Sequence, residues 1–205
     1  SLVTLSIGTN NVAIGTNAGL ALTTANQTVF IGGYAGDAVT VTNGGASDGT
    51  VAIGHSALTA HTSGEGNTAI GYQALDAEDD GDFNTAVGYQ ALTAQTGTSG
   101  EIGNTAIGYQ AGTGITIGRY ITAMGYKTLV TEDVGDGTTA FGTEVFYSQN
   151  SDSDNESTGN TGFGYQSGYY NVIGQNNTYI GKRSGFGASG QSNSNNVGVG
   201  SSALL

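Results

Sequence analysis

The sequence predicts an all-β fold, a parallel β-roll or β-solenoid of about 11 stacked coils with 17–22 residues each. Three observations carry this reading. A run related to Thr-Ala-Ile-Gly recurs along the chain, with its glycine at Gly15, Gly32, Gly54, Gly71, Gly88, Gly108, Gly125, Gly142, Gly164, Gly181 and Gly200. The commonest step is 17 residues, and a half-copy, Leu5-Ser6-Ile7-Gly8, precedes the first. A period of this size means a stacked array in which each unit buries its apolar face against its neighbours. Within each copy, β-branched or apolar residues alternate with small ones, which is the period of a strand. Finally, the chain has 37 Gly and no Pro, which suits short strands and tight turns because Pro would remove a ladder donor.

Taking the elements in order, each copy opens with a three-residue strand. The copy Asn67-Thr68-Ala69-Ile70-Gly71-Tyr72-Gln73-Ala74-Leu75 shows the pattern. The first strand position is Val12, Val29, Val51, Thr68, Thr85, Thr105, Thr122, Thr139, Thr161, Thr178 or Val197. The third is Ile14, Ile31, Ile53, Ile70, Val87, Ile107, Met124, Phe141, Phe163, Ile180 or Val199. As the only large apolar row, this third position is predicted to form the core of the coil stack. Between them lies a small residue in all copies but two, where Phe30 and Tyr179 stand. Ala13, Ala52, Ala69, Ala86, Ala106, Ala123 and Ala140 never give way to a charge, so this row is predicted to be the subunit interface.

The glycine after the third position suits a corner with positive φ, where a Cβ would clash. A second extended piece is predicted in each coil, as at Leu20-Ala21-Leu22, Val39-Thr40-Val41, Ile115-Thr116-Ile117, Leu129-Val130-Thr131 and Val145-Phe146-Tyr147. The longer copies place their extra residues in Gly/Asn/Asp/Ser-rich loops at 43–50, 95–104, 148–160 and 186–196, on one edge of the stack.

Composition narrows the function classes. Sixteen acidic against 4 basic residues give a net charge of −12, which repels nucleic acid and anionic membranes. No apolar stretch is long enough for insertion of this segment into a membrane. Cysteine is absent, which excludes disulfides and thiolate metal sites. The whole chain, 1–205, reads as one repeat array. It starts at Ser1 and ends as a new unit begins, Ser201-Ser202-Ala203-Leu204, so it reads as an interior excerpt of a longer fibre protein.

The Asn-Thr-Ala-Ile-Gly-Tyr-Gln-Ala-Leu runs at 67–75, 84–92 and 104–112, with Val87 and Gly112 as variants, resemble the Asn-x-Ala-Ile-Gly head repeats of trimeric autotransporter adhesins. Their Gly-Tyr-Gln-Ala-Leu continuation is closer still to repeats in phage tail fibres and related surface proteins. The resemblance covers residues 5–204 and implies a left-handed parallel β-roll in a homotrimer. It further implies an extracellular location, on a cell surface or virion tail, and attachment to a host-surface glycan or protein receptor. The coils here are longer than is typical of adhesin heads. The family supplies no catalytic residues, and the chain is not expected to be an enzyme. Two other readings compete with an attachment fibre: a monomeric surface- or ice-binding solenoid, and a fibre that degrades polysaccharide through carboxylates between subunits. Exposed flat rows of Thr would favour ice binding, but the alternation of Thr with Val is read here as burial.

Individual sites are few. Asp76, Glu78 and Asp80, followed by Gly81 and Asp82, imitate the start of a calcium loop, with Glu78 where Asp or Asn is usual and Val87 where a bidentate Glu belongs. Calcium is thus the one cofactor worth considering, and a solvated acidic turn is the plainer reading. Asp152, Asp154 and Glu156 form a weaker acidic loop, and Asn43–Asp48 has part of a calcium-roll nonapeptide. Tyr72, Tyr89, Tyr109, Tyr126 and Tyr165 share one position after the corner glycine. They are predicted to stack as a turn ladder, with a glycan platform as the alternative. Lys127, Lys182 and Arg183 fall in the same turns and are expected to pair with loop acids. His55 replaces Tyr in the ladder.

Overall fold

The computed structural model describes residues 8–39, 47–97, 100–153, 156–190 and 192–205. Leu5–Ile7, Thr40-Val41, Asn43–Ala46 and Asp154 lie outside the described residues. The chain divides into two compact units, Ser1–Gly103 and Asn104–Leu205. Both are parallel β-solenoids, so the predicted all-β class and repeat hold in each.

In the first unit, β1 (Val12–Ile14), β2 (Val29–Ile31), β3 (Val51–Ile53), β4 (Thr68–Ile70) and β6 (Thr85–Val87) form a parallel ladder in that order. A small second ladder pairs β5 (Gly81–Asp82) with β7 (Gly100–Glu101). In the second unit, β8 (Thr105–Ile107), β9 (Thr122–Met124), β10 (Thr139–Phe141), β11 (Thr161–Phe163), β12 (Thr178–Ile180) and β13 (Val197–Val199) continue the same pattern. Register is fixed position by position, as in Thr68↔Thr85, Ala69↔Ala86 and Ile70↔Val87. Each predicted strand triplet is a strand.

The second extended pieces are not strands. Leu20-Ala21, Leu129 and Val145-Phe146-Tyr147 lie in turns, and Ile115–Ile117 has no strand pairing. The reason is backbone handedness. The residue four after the corner glycine takes positive φ in every coil, whether glycine (Gly19, φ 57; Gly168, φ 62) or not (Leu75, φ 54; Leu129, φ 49; Phe146, φ 47). A second such residue sits two before it, as at Gln73 (φ 51). Alternating left-handed residues curl this segment, so it cannot extend.

The sidedness of the strands is the reverse of the prediction. Ala52, Ala69, Ala86, Ala106, Ala123 and Ala140 are fully buried, and Ala13 is partly buried. They line the coil interior of a single chain and are not available as a subunit interface. The row predicted as core faces out. Ile14, Ile70, Phe141, Phe163, Ile180 and Val199 are exposed, and Ile31, Ile53, Val87, Ile107 and Met124 are half-buried. The interior is instead filled from the turn by Leu58, Leu75, Leu92, Leu129 and Phe146. A coil this narrow has room opposite those side chains only for a methyl group.

The two large residues in the small row obey the same volume rule. Phe30 and Tyr179 are buried, and in their coils the turn position is Gly36 and Gly185. A Cβ on Gly36 would lie 2.9 Å from the Phe30 ring, and one on Gly185 would lie 2.5 Å from Tyr179. The coil holding Gly162 and Gly168 has small residues at both positions. Phe146 from the preceding coil fills that gap, 2.6 Å from where a Gly162 Cβ would be, with Tyr179 beyond it at a centroid distance of 6.2 Å. Interior volume is conserved although the residues that supply it change.

Two further devices hold the coils in register. Asn67, buried ahead of β4, donates from Nδ2 to the Gly81 carbonyl (2.7 Å) and accepts on Oδ1 from the Asn84 N–H (2.9 Å). Asn104, Asn160 and Asn177 repeat this bridge to Gly118 and Ile121, Gly174 and Asn177, and Asn193 and Asn196. Each amide therefore ties the far side of its own coil to the start of the next. The corner glycines have φ between 119 and 141, as the sequence predicts. A Cβ on Gly71 would stand 2.6 Å from the Gly88 carbonyl carbon, so adjacent corners approach too closely for any side chain.

Candidate functional site

Three regions come out of this geometry. The first is the outward face of each ladder. Along it run the first-position residues, Val or Thr, and the third-position residues, Ile, Val, Met or Phe, with none charged. Its openness varies: Ile14 is 59% exposed and Val199 66%, while Ile70 is 37% exposed. Phe141 and Phe163 stack along it, 4.9 Å between centroids. The Thr row, read from sequence as buried, lies on this face. Thr139 and Thr161 are exposed, and Thr68, Thr85, Thr105, Thr122 and Thr178 are half-buried.

The second surface is the turn ladder. In the first unit Tyr72 stacks on Tyr89 (5.2 Å, 12°) and His55 on Tyr72 (5.7 Å, 17°), with Tyr34 edge-on to His55. In the second unit Tyr109 stacks on Tyr126 (5.4 Å, 13°). Tyr165 occupies the same position with Thr143 and Lys182 as its neighbours in register, and it is exposed. An amide ladder runs alongside, with Gln90 Nε2 donating to Gln73 Oε1 at 3.0 Å. Of the three basic residues predicted to pair with loop acids, Lys127 and Arg183 lie over rings. The Lys127 ammonium lies 5.4 Å from the Tyr126 centroid, and the Arg183 guanidinium 3.9 Å from that of Phe186.

The third region is interior. The acids predicted to form a calcium loop do not converge. Glu78 is fully buried, its Oε1 accepting from the Gly81 N–H (2.7 Å) and the Gly97 N–H (3.1 Å). Burial pushes its carboxyl above the usual range, against the opposing pull of those backbone donors. Asp82 turns the other way and accepts from the Glu65 N–H at 2.8 Å. Asp76 lies in the outer turn, close enough to Asp37 to contribute to that residue's raised pKa, which is due first to burial. Asp80 lies at a bend after Glu78. Among the described residues no group of three or more His, Cys, Asp or Glu is arranged to hold a metal ion.

Glu78 belongs to an interior row that the sequence reading missed. Seven residues after the corner glycine stand Leu22, Val39, His61, Glu78, Gln95, Ile115, Glu132, Gln149 and Asn171, all buried, and then the exposed Ala188. The position is apolar where the turn residue is Gly19, Gly36 or Gly112, and polar where a Leu or Phe already fills the interior. That correlation is visible in the sequence. Ser47 Oγ lies 3.2 Å from His61 Nε2, and burial lowers the imidazole pKa to about 4, so it is neutral. In the second unit Glu132 accepts from the Gly135 and Ser151 N–H groups on Oε1 and from Gln149 Nε2 (2.7 Å) on Oε2. Gln149 in turn accepts from Asn160 Nδ2 at 2.9 Å. These groups hydrogen-bond across the interior and are shut off from solvent.

A second omission lies five residues after the corner glycine. This position holds Leu20, Asp37, Thr59, Asp76, Thr93, Thr113 and Val130, and then Tyr147, Tyr169 and Phe186. The change to aromatic residues in three consecutive coils is legible once the copies are aligned. The chain matches no protein family, no curated protein and no solved structure.

Proposed function

We propose that this chain is a segment of an extracellular attachment fibre, on a cell surface or a virion tail. In this reading, copies wound as left-handed solenoids associate as a homotrimer through their outward Val/Thr–Ile faces. The observation that carries it is the uncharged apolar row running up each ladder. Soluble monomers rarely leave such a continuous apolar surface open. In a chain of net charge −12, a strip free of charge is also where like copies can approach without repulsion. A second copy has the same coil rise, so contacts made at one level repeat at the next. The fibre is proposed to bind and not to catalyse, with a host-surface glycan or protein as receptor.

The association is tested by sedimentation and light scattering of the whole chain beside Ile70→Lys and Phe163→Lys. Trimers for the parent and folded monomers for the variants are expected. A parent chain that is monomeric at all concentrations overturns the reading. The outward Thr row favours a second reading, a monomeric ice- or surface-binding solenoid. Met124, Phe141 and Phe163 make that face uneven, which suits interlocking with another chain better than contact with a flat lattice. Thermal hysteresis from a monomeric parent chain would decide for the second reading.

A further inference from the structure

We infer that Tyr147, Tyr169, Tyr170 and Phe186, bordered by Glu144, Gln166 and Arg183, form a binding site for a neutral oligosaccharide of β-linked pyranose rings. The inference gives the attachment reading its ligand class and location, but does not depend on trimer formation. Tyr147 and Tyr169 stack at 5.1 Å and 3°, and Tyr169 and Phe186 at 5.5 Å and 24°. Tyr170 stands nearly perpendicular to both Tyr169 (4.7 Å, 81°) and Phe186 (5.1 Å, 78°). Since Tyr147 and Phe186 cover the two faces of Tyr169, Tyr170 packs against the rim of the stack. All four side chains are half-exposed.

The fold does not require these rings. Equivalent positions in other coils carry Thr59, Asp76, Thr93 and Thr113 without loss of the coil, and the interior is filled by other residues. Half-exposed aromatic surface beyond what packing needs marks a contact site. The backbone beneath is fixed by coil-to-coil hydrogen bonds, from Ser148 N–H to the Tyr169 carbonyl (3.0 Å) and from Tyr170 N–H to the Phe186 carbonyl (3.1 Å). The rings are therefore held in place before any ligand arrives, which lowers the ordering cost of binding.

The polar border selects the ligand class. Arg183 reaches over Phe186 at 3.9 Å, which brings its row of turn residues alongside the rings. In that row Gln166 Nε2 donates to Glu144 Oε2 at 2.8 Å. The ring edges along the stack, flanked by a carboxylate, an amide and a guanidinium, match an extended ligand that offers many hydroxyl oxygens. An extended β-linked glycan repeats at a distance close to the 5.1–5.5 Å ring spacing, so one sugar can meet each coil. The carboxylate in the border and the chain's net charge of −12 favour a neutral glycan over an acidic one.

The test is titration of the whole chain with cellohexaose, xylohexaose, mannohexaose and chitohexaose, followed calorimetrically and by saturation-transfer NMR on tyrosine signals. Saturable binding to at least one is expected. The double variant Tyr169→Thr/Phe186→Thr, which installs the residue of other coils, should weaken it at least tenfold with unchanged far-UV circular dichroism. Arg183→Gln should weaken it several-fold. No saturable binding to any of the four, or binding unchanged in the double variant, overturns the inference. A cluster that engages only a protein partner also overturns it. Ile70→Lys should leave sugar binding per chain intact, so failure of the trimer and failure of this site are separately visible.

Discussion

Phe30 and Gly36 offer a direct measurement of which strand face is inside. Phe30→Ala removes a fully buried ring and should cost about 3–5 kcal/mol, as transfer loss plus cavity. Gly36→Leu alone should also destabilise. Its Cβ would already stand 2.9 Å from the ring, at φ 57, so overpacking of about 1–3 kcal/mol adds to the left-handed strain. Together the two changes recreate the Ala–Leu pair of Ala69/Leu75 and Ala86/Leu92, in which leucine adopts the same backbone region (φ 54 and 50). The double variant should therefore be more stable than Phe30→Ala alone. The coupling should fall toward the upper end of the usual 0.5–3 kcal/mol for contacting residues. Urea unfolding followed by circular dichroism gives the cycle, and amide exchange in the coils of β2 and β3 localises it. Additive effects, or a Phe30→Ala cost under about 1 kcal/mol, would refute an inward middle position.

Other perturbations probe the polar interior and the corner. His61 has a folded pKa of about 4 against an ordinary 6.5. The unfolded chain therefore takes up its proton first, and stability falls as pH drops from about 6.5 to 4. The loss attributable to this residue is roughly 3 kcal/mol over that window. Glu78, with its raised pKa, acts in the opposite sense, losing stability as pH rises above its ordinary range. His61→Gln, copying Gln95, should flatten the acid side of the curve in equilibrium unfolding at stepped pH; an unchanged slope would exclude His61 as the source. Gly71→Ala should cost about 3 kcal/mol or more, with amide exchange rising first in the coils of β4 and β6. Gly49→Ala, also at positive φ (71) but where a Cβ meets nothing within 4 Å, is the control and should cost only the left-handed strain of about 1–2 kcal/mol; equal effects would mean that corner proximity is not limiting.

Periodicity located the strands well and their orientation badly. Alternation in Thr68-Ala69-Ile70 reports two faces but not which one is enclosed. Assigning the larger residues to the interior presumes a wide core. The missing information is the cross-section, which is set by the left-handed turn residues at Gln73 and Leu75 and by the inward reach of Leu75. It was nonetheless encoded, since the exceptional Phe30 and Tyr179 coincide with Gly36 and Gly185 at the turn position. The interior polar row was obscured for a related reason. Acids in a Gly/Asp-rich stretch read as solvated, whereas Glu78 is turned inward by the two N–H groups it accepts from. The turn tyrosines were legible because Tyr recurs at one position in four consecutive coils, at Tyr72, Tyr89, Tyr109 and Tyr126. The patch at Tyr147, Tyr169 and Phe186 was harder to see, because it departs from its column in three coils.

The in-register parallel ladders carry a kinetic consequence. The partners of a strand lie only 17 to 22 residues away in sequence, as Val12 pairs with Val29 and Thr139 with Thr161. Closing such a loop costs much the same entropy in each coil, because the cost grows only logarithmically with length. Mean contact separation stays fixed as coils are added, so contact order relative to length falls in a longer array. Once a few coils have formed, each new one docks on a finished edge without waiting for residues farther along. A chain built this way can fold progressively as it leaves the ribosome, and adding or deleting whole coils changes its length without changing the rate-limiting step.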